Sequence, residues 1–153
     1  MNSEAKDALS LLLRDHKDVK AMFKQFEELT DRSKVTKKRI AEQICHALTV
    51  HMQLEEEIFY PAVLAVIKGS DFMDEAIVEH ASAQELIAEI EGMDPGEELY
   101  DAMVKVLSEQ IDHHVSEEEG EMFPKVRKTR LDLIALGEEM YTRKEELENS
   151  LIV

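Results

Sequence analysis

Residues 51–61 read HMQLEEEIFYP and residues 114–124 read HVSEEEGEMFP. Each begins with histidine and places glutamate at +4 and +5, an aromatic residue at +9 and proline at +10. The likeness continues upstream. Residues 13–26, LRDHKDVKAMFKQF, align with residues 77–90, IVEHASAQELIAEI, with an acid just before the histidine and apolar residues at +7 and +10 from it. His16 precedes His51 by 35 residues and His80 precedes His114 by 34. The chain is thus built from two copies of one unit, a histidine on a first segment followed by His-x-x-x-Glu on a second.

The segments are helical in pattern. Only five glycines and three prolines punctuate 153 residues, and apolar residues recur at spacings of three and four without the alternation of strands. A first helix is expected over residues 3–29, with Leu12, Val19, Phe23 and Phe26 on one stripe. A second carries Ile44, Leu48, His51, Glu55, Ile58 and Ala62, stops or kinks near Pro61, and is closed by Lys68-Gly69-Ser70. Asp71 and Asp74 suggest a cap for a third helix, which carries Ile77, His80, Ala83, Ile87 and Ile90. Asp94-Pro95-Gly96-Glu97 suggests a capping box that starts a fourth helix running to about Phe123. Thr129 with Asp132 suggests the cap of a tail helix over residues 129–148, which packs outside the other four. The expected fold is all-α: one domain over residues 1–153, with helical hairpins at 3–69 and 71–124. It forms an up-down-up-down four-helix bundle with an additional short C-terminal helix.

In a helix, residues four apart share a face with their Cβ atoms about 6 Å apart, so His51 with Glu55, and His114 with Glu118, each reach a common point. Both pairs lie in line with apolar residues, Ile44 and Leu48 in one case, Leu107 and Ile111 in the other. Four imidazoles and two carboxylates in a bundle core are costly unless their charges are compensated, and divalent cations compensate them. Nitrogen and oxygen donors without sulfur suit iron first, with zinc or manganese as substitutes. Cys45, the only cysteine, leaves no disulfide and no thiolate cluster within one chain.

The formal net charge is −16, from 18 basic and 34 acidic residues. It opposes a phosphate backbone or an anionic membrane surface. No run of 18 apolar residues or signal-peptide pattern is present, which leads to the expectation of a cytoplasmic protein.

The set His16, His51-x-x-x-Glu55, His80, His114-x-x-x-Glu118 resembles the hemerythrin-like family, or HHE cation-binding domain, over essentially the whole chain. The resemblance implies a non-haem di-iron centre: His16 and His51 on one iron, His80 and His114 on the other, Glu55 and Glu118 bridging. Two departures from the family's invertebrate oxygen carriers stand out. Those proteins have a further histidine one turn after the third-helix ligand, where this chain has Gln84, and they space the last pair His-x-x-x-x-Asp. No cysteine-bearing N-terminal domain like that of relatives linked to repair of iron centres is expected, which argues against that role.

The leading functional reading is therefore a carboxylate-bridged di-iron protein that binds or reduces a small ligand, namely oxygen, peroxide or nitric oxide. The alternative is a non-enzymatic cation-binding module that senses or buffers iron, or holds structural zinc. A bare helical interaction domain is the third. His113 falls one step off the core line and is expected on the surface, His46 at the surface or boundary, and Cys45 in packing. Glu56, Glu57, Glu117 and Glu119 are expected on solvated faces, with a hydrogen bond to a ligand imidazole as the lesser alternative. Tyr60 and Phe123 are expected to pack at the bundle end, with Tyr60 as a site donor the lesser alternative. Val19, Phe23, Ile58, Ile87 and Ile111 are expected to wall the centre from water.

Overall fold

The computed structural model describes residues 7–68 and 71–151, so the expected first-helix residues 3–6 and the closing Gly69 and Ser70 lie outside the described residues. No strand occurs among the described residues. Helix α1 spans Ala8–Glu27 behind Asp7, whose carboxylate accepts from the Ser10 N–H at 2.7 Å. This is an ordinary side-chain cap of an otherwise orphaned donor. Its buried residues Leu9, Leu12, His16, Val19, Phe23 and Phe26 recur at three and four. Helix α4, Asp71–Glu91, buries Met73, Ala76, His80, Ala83, Ile87 and Ile90 in the same rhythm. Asp71 and Asp74 are inside its first turn, where negative charge favours the helix dipole. Ile77, expected on the inner line, is exposed.

The other two long helices hold the main departure. Helix α2, Lys34–Leu54, does not stop at Pro61 but passes through a π turn, Glu55–Phe59, into α3, Tyr60–Val66. Helix α5, Tyr100–Glu117, passes through a second π turn, Glu118–Met122, into α6, Phe123–Arg127. In each turn an N–H reaches back five residues, Tyr60 to the Glu55 carbonyl and Phe123 to the Glu118 carbonyl. The prolines explain the position. Pro61 and Pro124 have no N–H to give to the preceding turn, and their rings crowd the carbonyl four residues back. A π turn just upstream absorbs both effects. The extra residue shifts the inner face by one. Ile58 and Ala62, expected in line with Glu55, are only half-buried, while Phe59, Tyr60 and Val63 are buried. Met122, Phe123 and Val126 occupy the matching places after Glu118.

Two helix starts also differ from expectation. The Glu97 carboxylate does accept from the Asp94 N–H at 2.6 Å, but residues 94–99 use this bond within a separate turn, and α5 begins at Tyr100. Asp132 alone caps the tail helix α7, Leu133–Leu151, through a bond from the Ala135 N–H at 3.0 Å. The Thr129 hydroxyl instead donates to the Val126 carbonyl at the end of α6. At 19 residues, α7 is as long as the bundle helices rather than short.

Helices α1, α2, α4 and α5 form a closed ring of neighbours in that order, the arrangement of an up-down-up-down bundle, and α7 lies against α1 and α2. The core is split in two. One apolar cluster runs from Val19, Phe23 and Phe26 through Ile44 and Leu48 to Ile87, Ile90, Val104 and Leu107. The other joins Leu9, Leu12, Leu54, Phe59, Met73, Phe123 and Val126 to Leu136, Met140 and Leu147 of α7. Between them every bundle helix contributes a buried polar side chain: Asp15 and His16, His51 and Glu55, His80, His114 and Glu118.

Candidate metal centre

The polar layer is concentric. At its middle are Glu55 and Glu118, both fully buried at 0% exposure. Glu118 Oε1 lies 3.2 Å from His16 Nε2, and Glu118 Oε2 lies 3.1 Å from His114 Nε2. Glu55 Oε1 lies 3.4 Å from His51 Nε2 and 3.2 Å from His80 Nε2. All four imidazoles thus turn Nε2 inward. The six side chains singled out from the repeat are brought together in one place.

The opposite ring nitrogens each meet a carboxylate further out. His16 Nδ1 is 2.7 Å from Glu119, His51 Nδ1 3.0 Å from Asp15, His80 Nδ1 2.9 Å from Glu56 and His114 Nδ1 2.9 Å from Glu79. The pattern follows the sequence repeat. The acid preceding the first histidine of each hairpin, Asp15 or Glu79, receives the second histidine of that hairpin. The glutamate at +5, Glu56 or Glu119, receives the first histidine of the other. Carboxylates so placed fix an imidazole as the Nδ1–H tautomer with Nε2 free to bind, the usual support of metal-bound histidine. Glu56 and Glu119 stay exposed, as expected, and also take up the lesser alternative, a hydrogen bond to an imidazole, whereas Glu57 pairs with Arg143 and Glu117 with His113. The signal for Asp15 and Glu79 was present in the sequence as the repeated acid before histidine.

Tyr60 is a further inward group. Its hydroxyl donates to Glu118 Oε2 at 2.7 Å and sits 3.2 Å from His114 Nε2 and 3.5 Å from His80 Nε2. It is not simply packing. In a regular helix Tyr60 would point about 140° away from Glu55, but the π turn brings residue +5 back over it. Phe123, its repeat counterpart, stacks 6.1 Å from the His16 ring and has no hydroxyl to offer. Val19 and Ile111, with Leu48, Met52 and Val115, line the narrow space around the four imidazoles. A cleft of about 470 Å³ between α1 and α5 lies on the far side of His16, Val19, Ile111 and Val115. Ile58 packs with the other apolar cluster instead of this wall. His113 is two-thirds exposed, and Cys45 is buried with its thiol pushed up to about 12 by burial, so it is inert packing.

The two central carboxyls titrate in opposite directions. Burial, and then the charge of Glu118, hold Glu55 well above the usual carboxylate range. Burial presses Glu118 the same way, but the bond from His114 and the close approach of the His16 imidazole overcome it and hold Glu118 well below that range. His16 and His114 are raised despite their burial, chiefly by Glu118. His51 and His80 are lowered by burial, with Asp15 and Glu56 opposing. Glu55 and Glu118 therefore favour opposite protonation states.

The donor chemistry fits metal. His16 Nε2, His51 Nε2, both Glu55 oxygens and Glu118 Oε1 are buried without a hydrogen-bond partner among the described residues, an arrangement proteins otherwise avoid. The donors of His16, His51, Glu55 and Glu118 lie within 4.8 Å of one another, as do those of Glu55, His80 and His114, so Glu55 belongs to both groups. Residues 7–126 match the hemerythrin HHE cation-binding domain. The chain belongs to that family.

A solved structure of an HHE-domain protein shares the fold. The structure superposes on that of a hemerythrin HHE cation-binding domain-containing protein from Mycobacterium kansasii with a TM-score of 0.81. The match covers 95% of this chain and 90% of that one at 23% identity. In sequence, 113 residues are 27% identical to a DNA nickase of Nostoc sp., covering 74% of this chain but 31% of the nickase. This HHE domain thus corresponds to about a third of that relative. No helix among the described residues is long and apolar enough to cross a membrane.

Proposed function

We propose that this HHE domain is a di-iron protein that binds or reduces a small diatomic or peroxidic ligand. His16 and His51 would hold one ion, His80 and His114 the other, with Glu55 and Glu118 shared. The observation that carries the reading is the set of buried, unpartnered donors backed by four outer carboxylates. Bound there, a pair of irons would supply redox-active Lewis-acid centres. Zinc or manganese fits the same donors, which is why the metal's identity belongs to the proposal.

The chain's own part is holding and proton handling. Asp15, Glu56, Glu79 and Glu119 orient the imidazoles, and Glu55 releases its proton when it becomes a ligand. The Tyr60 hydroxyl, far above its ordinary range through burial and the two glutamates, stays protonated and donates toward Glu118. The apolar side chains of Val19, Ile111 and Val115 separate this layer from the α1–α5 cleft, the side from which a small ligand would approach. Strand nicking does not come with the Nostoc likeness. The matched segment is a minority of that protein, and a net charge of −16 repels DNA.

The test is reconstitution with ferrous iron, oxidation, and titration with azide. A visible charge-transfer band that shifts on azide addition supports an accessible iron pair. A colourless protein that retains zinc against iron overturns it in favour of a structural cation module.

A further inference from the structure

Helix α7 follows the residues that match the HHE domain, and it touches the polar layer at one group. Lys144 Nζ lies 2.7 Å from Asp15 Oδ1, and Asp15 Oδ2 lies 3.0 Å from His51 Nδ1. A continuous path therefore runs from the tail helix to His51, whose Nε2 faces the centre. The other three imidazoles have no such arrangement. Glu119, Glu56 and Glu79 keep 38%, 42% and 26% of their side-chain exposure and pair with no lysine or arginine among the described residues. The Asp15 side chain keeps only 9%.

This difference has a physical consequence. A solvated carboxylate is satisfied by water, whereas a buried one needs its partners, a counter-charge included, from the protein. Lys144 provides that counter-charge at one Asp15 oxygen and leaves the other to accept from His51. In the other hairpin no lysine or arginine takes that place among the described residues, and Glu79 Oε2 instead lies 3.7 Å from Nε2 of the largely exposed His113. The internal twofold likeness of the site is broken there.

We infer that Lys144 is a positioning residue for the ion at His16 and His51, acting through Asp15 to lock the His51 imidazole. The inference rests on the dinuclear reading above. Without the ammonium, the Asp15 carboxylate loses its anchor and turns toward water, and His51 loses its fixed acceptor. Loss of such outer partners weakens metal binding about 10- to 100-fold, and a residue one bond further out belongs at the lower end.

The experiment titrates metal-free protein with cobalt(II), followed by its visible d–d bands and by calorimetry, in five proteins: wild type, Lys144→Met, Lys144→Arg, Asp15→Asn and the Asp15→Asn/Lys144→Met double variant. Wild type should bind two equivalents. Lys144→Met should weaken one of them about tenfold and leave the other, and Lys144→Arg should restore it to within about twofold. In the Asp15→Asn background, Lys144→Met should add nothing. Unchanged binding in Lys144→Met, equal weakening of both equivalents, or the same loss in both backgrounds would overturn the role of Lys144 while leaving the dinuclear reading intact. A wild type that binds fewer than two cobalt ions overturns the dinuclear reading itself, and the inference with it. Thermal melts of the metal-free variants identify any protein that fails to fold; should Lys144→Met fail, Lys144→Gln takes its place in both backgrounds with the same expected outcomes.

Discussion

The Tyr60 hydroxyl donates to Oε2 of Glu118 at 2.7 Å across 58 residues of chain, joining the end of the first hairpin to the central carboxylate of the second. Replacing Tyr60 with phenylalanine deletes one donor to a fully buried anion. Hydrogen bonds to charged groups contribute roughly 1.5–3 kcal/mol. Denaturant unfolding of metal-free Tyr60→Phe should show a loss of that size, while two metals still bind because the tyrosine is not among the six donors. Unaltered stability would mean that the hydroxyl is not committed to Glu118.

Adjacent histidines provide an internal control on the register of α5. His114 Nε2 faces Glu118, whereas His113, one residue and about 100° away, is largely exposed beside Glu117. His114→Ala should lose one metal by elemental analysis, and His113→Ala should retain both. The reverse result would place the wrong face of α5 toward the centre.

The metal-free protein should become less stable as pH rises above about 6.5. The sign follows from groups whose folded pKa lies above the unfolded value: Glu55, His16 and His114 are all raised. Each contributes stability that is complete below its unfolded pKa and is lost as pH climbs through its folded pKa. His51 and His80 are lowered and act the other way, but only while the unfolded histidines still hold protons, up to about their ordinary 6.5. Above that pH the raised groups act alone, at up to about 1.4 kcal/mol per pH unit per proton. Melting temperatures of chelator-treated protein from pH 6.5 to 8.5 check this. The metal-loaded protein should lack the decline, because binding has already displaced those protons. A metal-free melting temperature that rises across this range would contradict the assignment.

Much of this was legible in the sequence because the repeat and the His-x-x-x-Glu spacing lie upstream of the prolines, where 100° per residue holds. His51 and Glu55 could be placed on one face by counting. Tyr60 could not, because the π turn between them changes the count, and nothing local marks a π turn except a proline six residues after each glutamate. The outer carboxylates were half legible. Asp15, Glu79, Glu56 and Glu119 recur in the repeat, but which imidazole each meets depends on contacts between helices. The start of α5 was misplaced because Asp94 and Glu97 satisfy each other in a turn as well as they would at a helix end. Lys144 carried no signal, since α7 has no repeat partner and its contact with Asp15 spans 129 residues.

The central claim is two irons sharing two carboxylates, and iron stoichiometry with magnetic coupling measures it most directly. Protein loaded with ferrous iron under anaerobic conditions and then oxidised should contain close to two irons per chain, with Mössbauer spectra in applied field showing a diamagnetic ground state from a coupled ferric pair. Loading is also expected to raise stability by about 3–4 kcal/mol when free metal is some hundreds of times its dissociation constant. One iron per chain, or two that behave as isolated high-spin ions, would contradict the account.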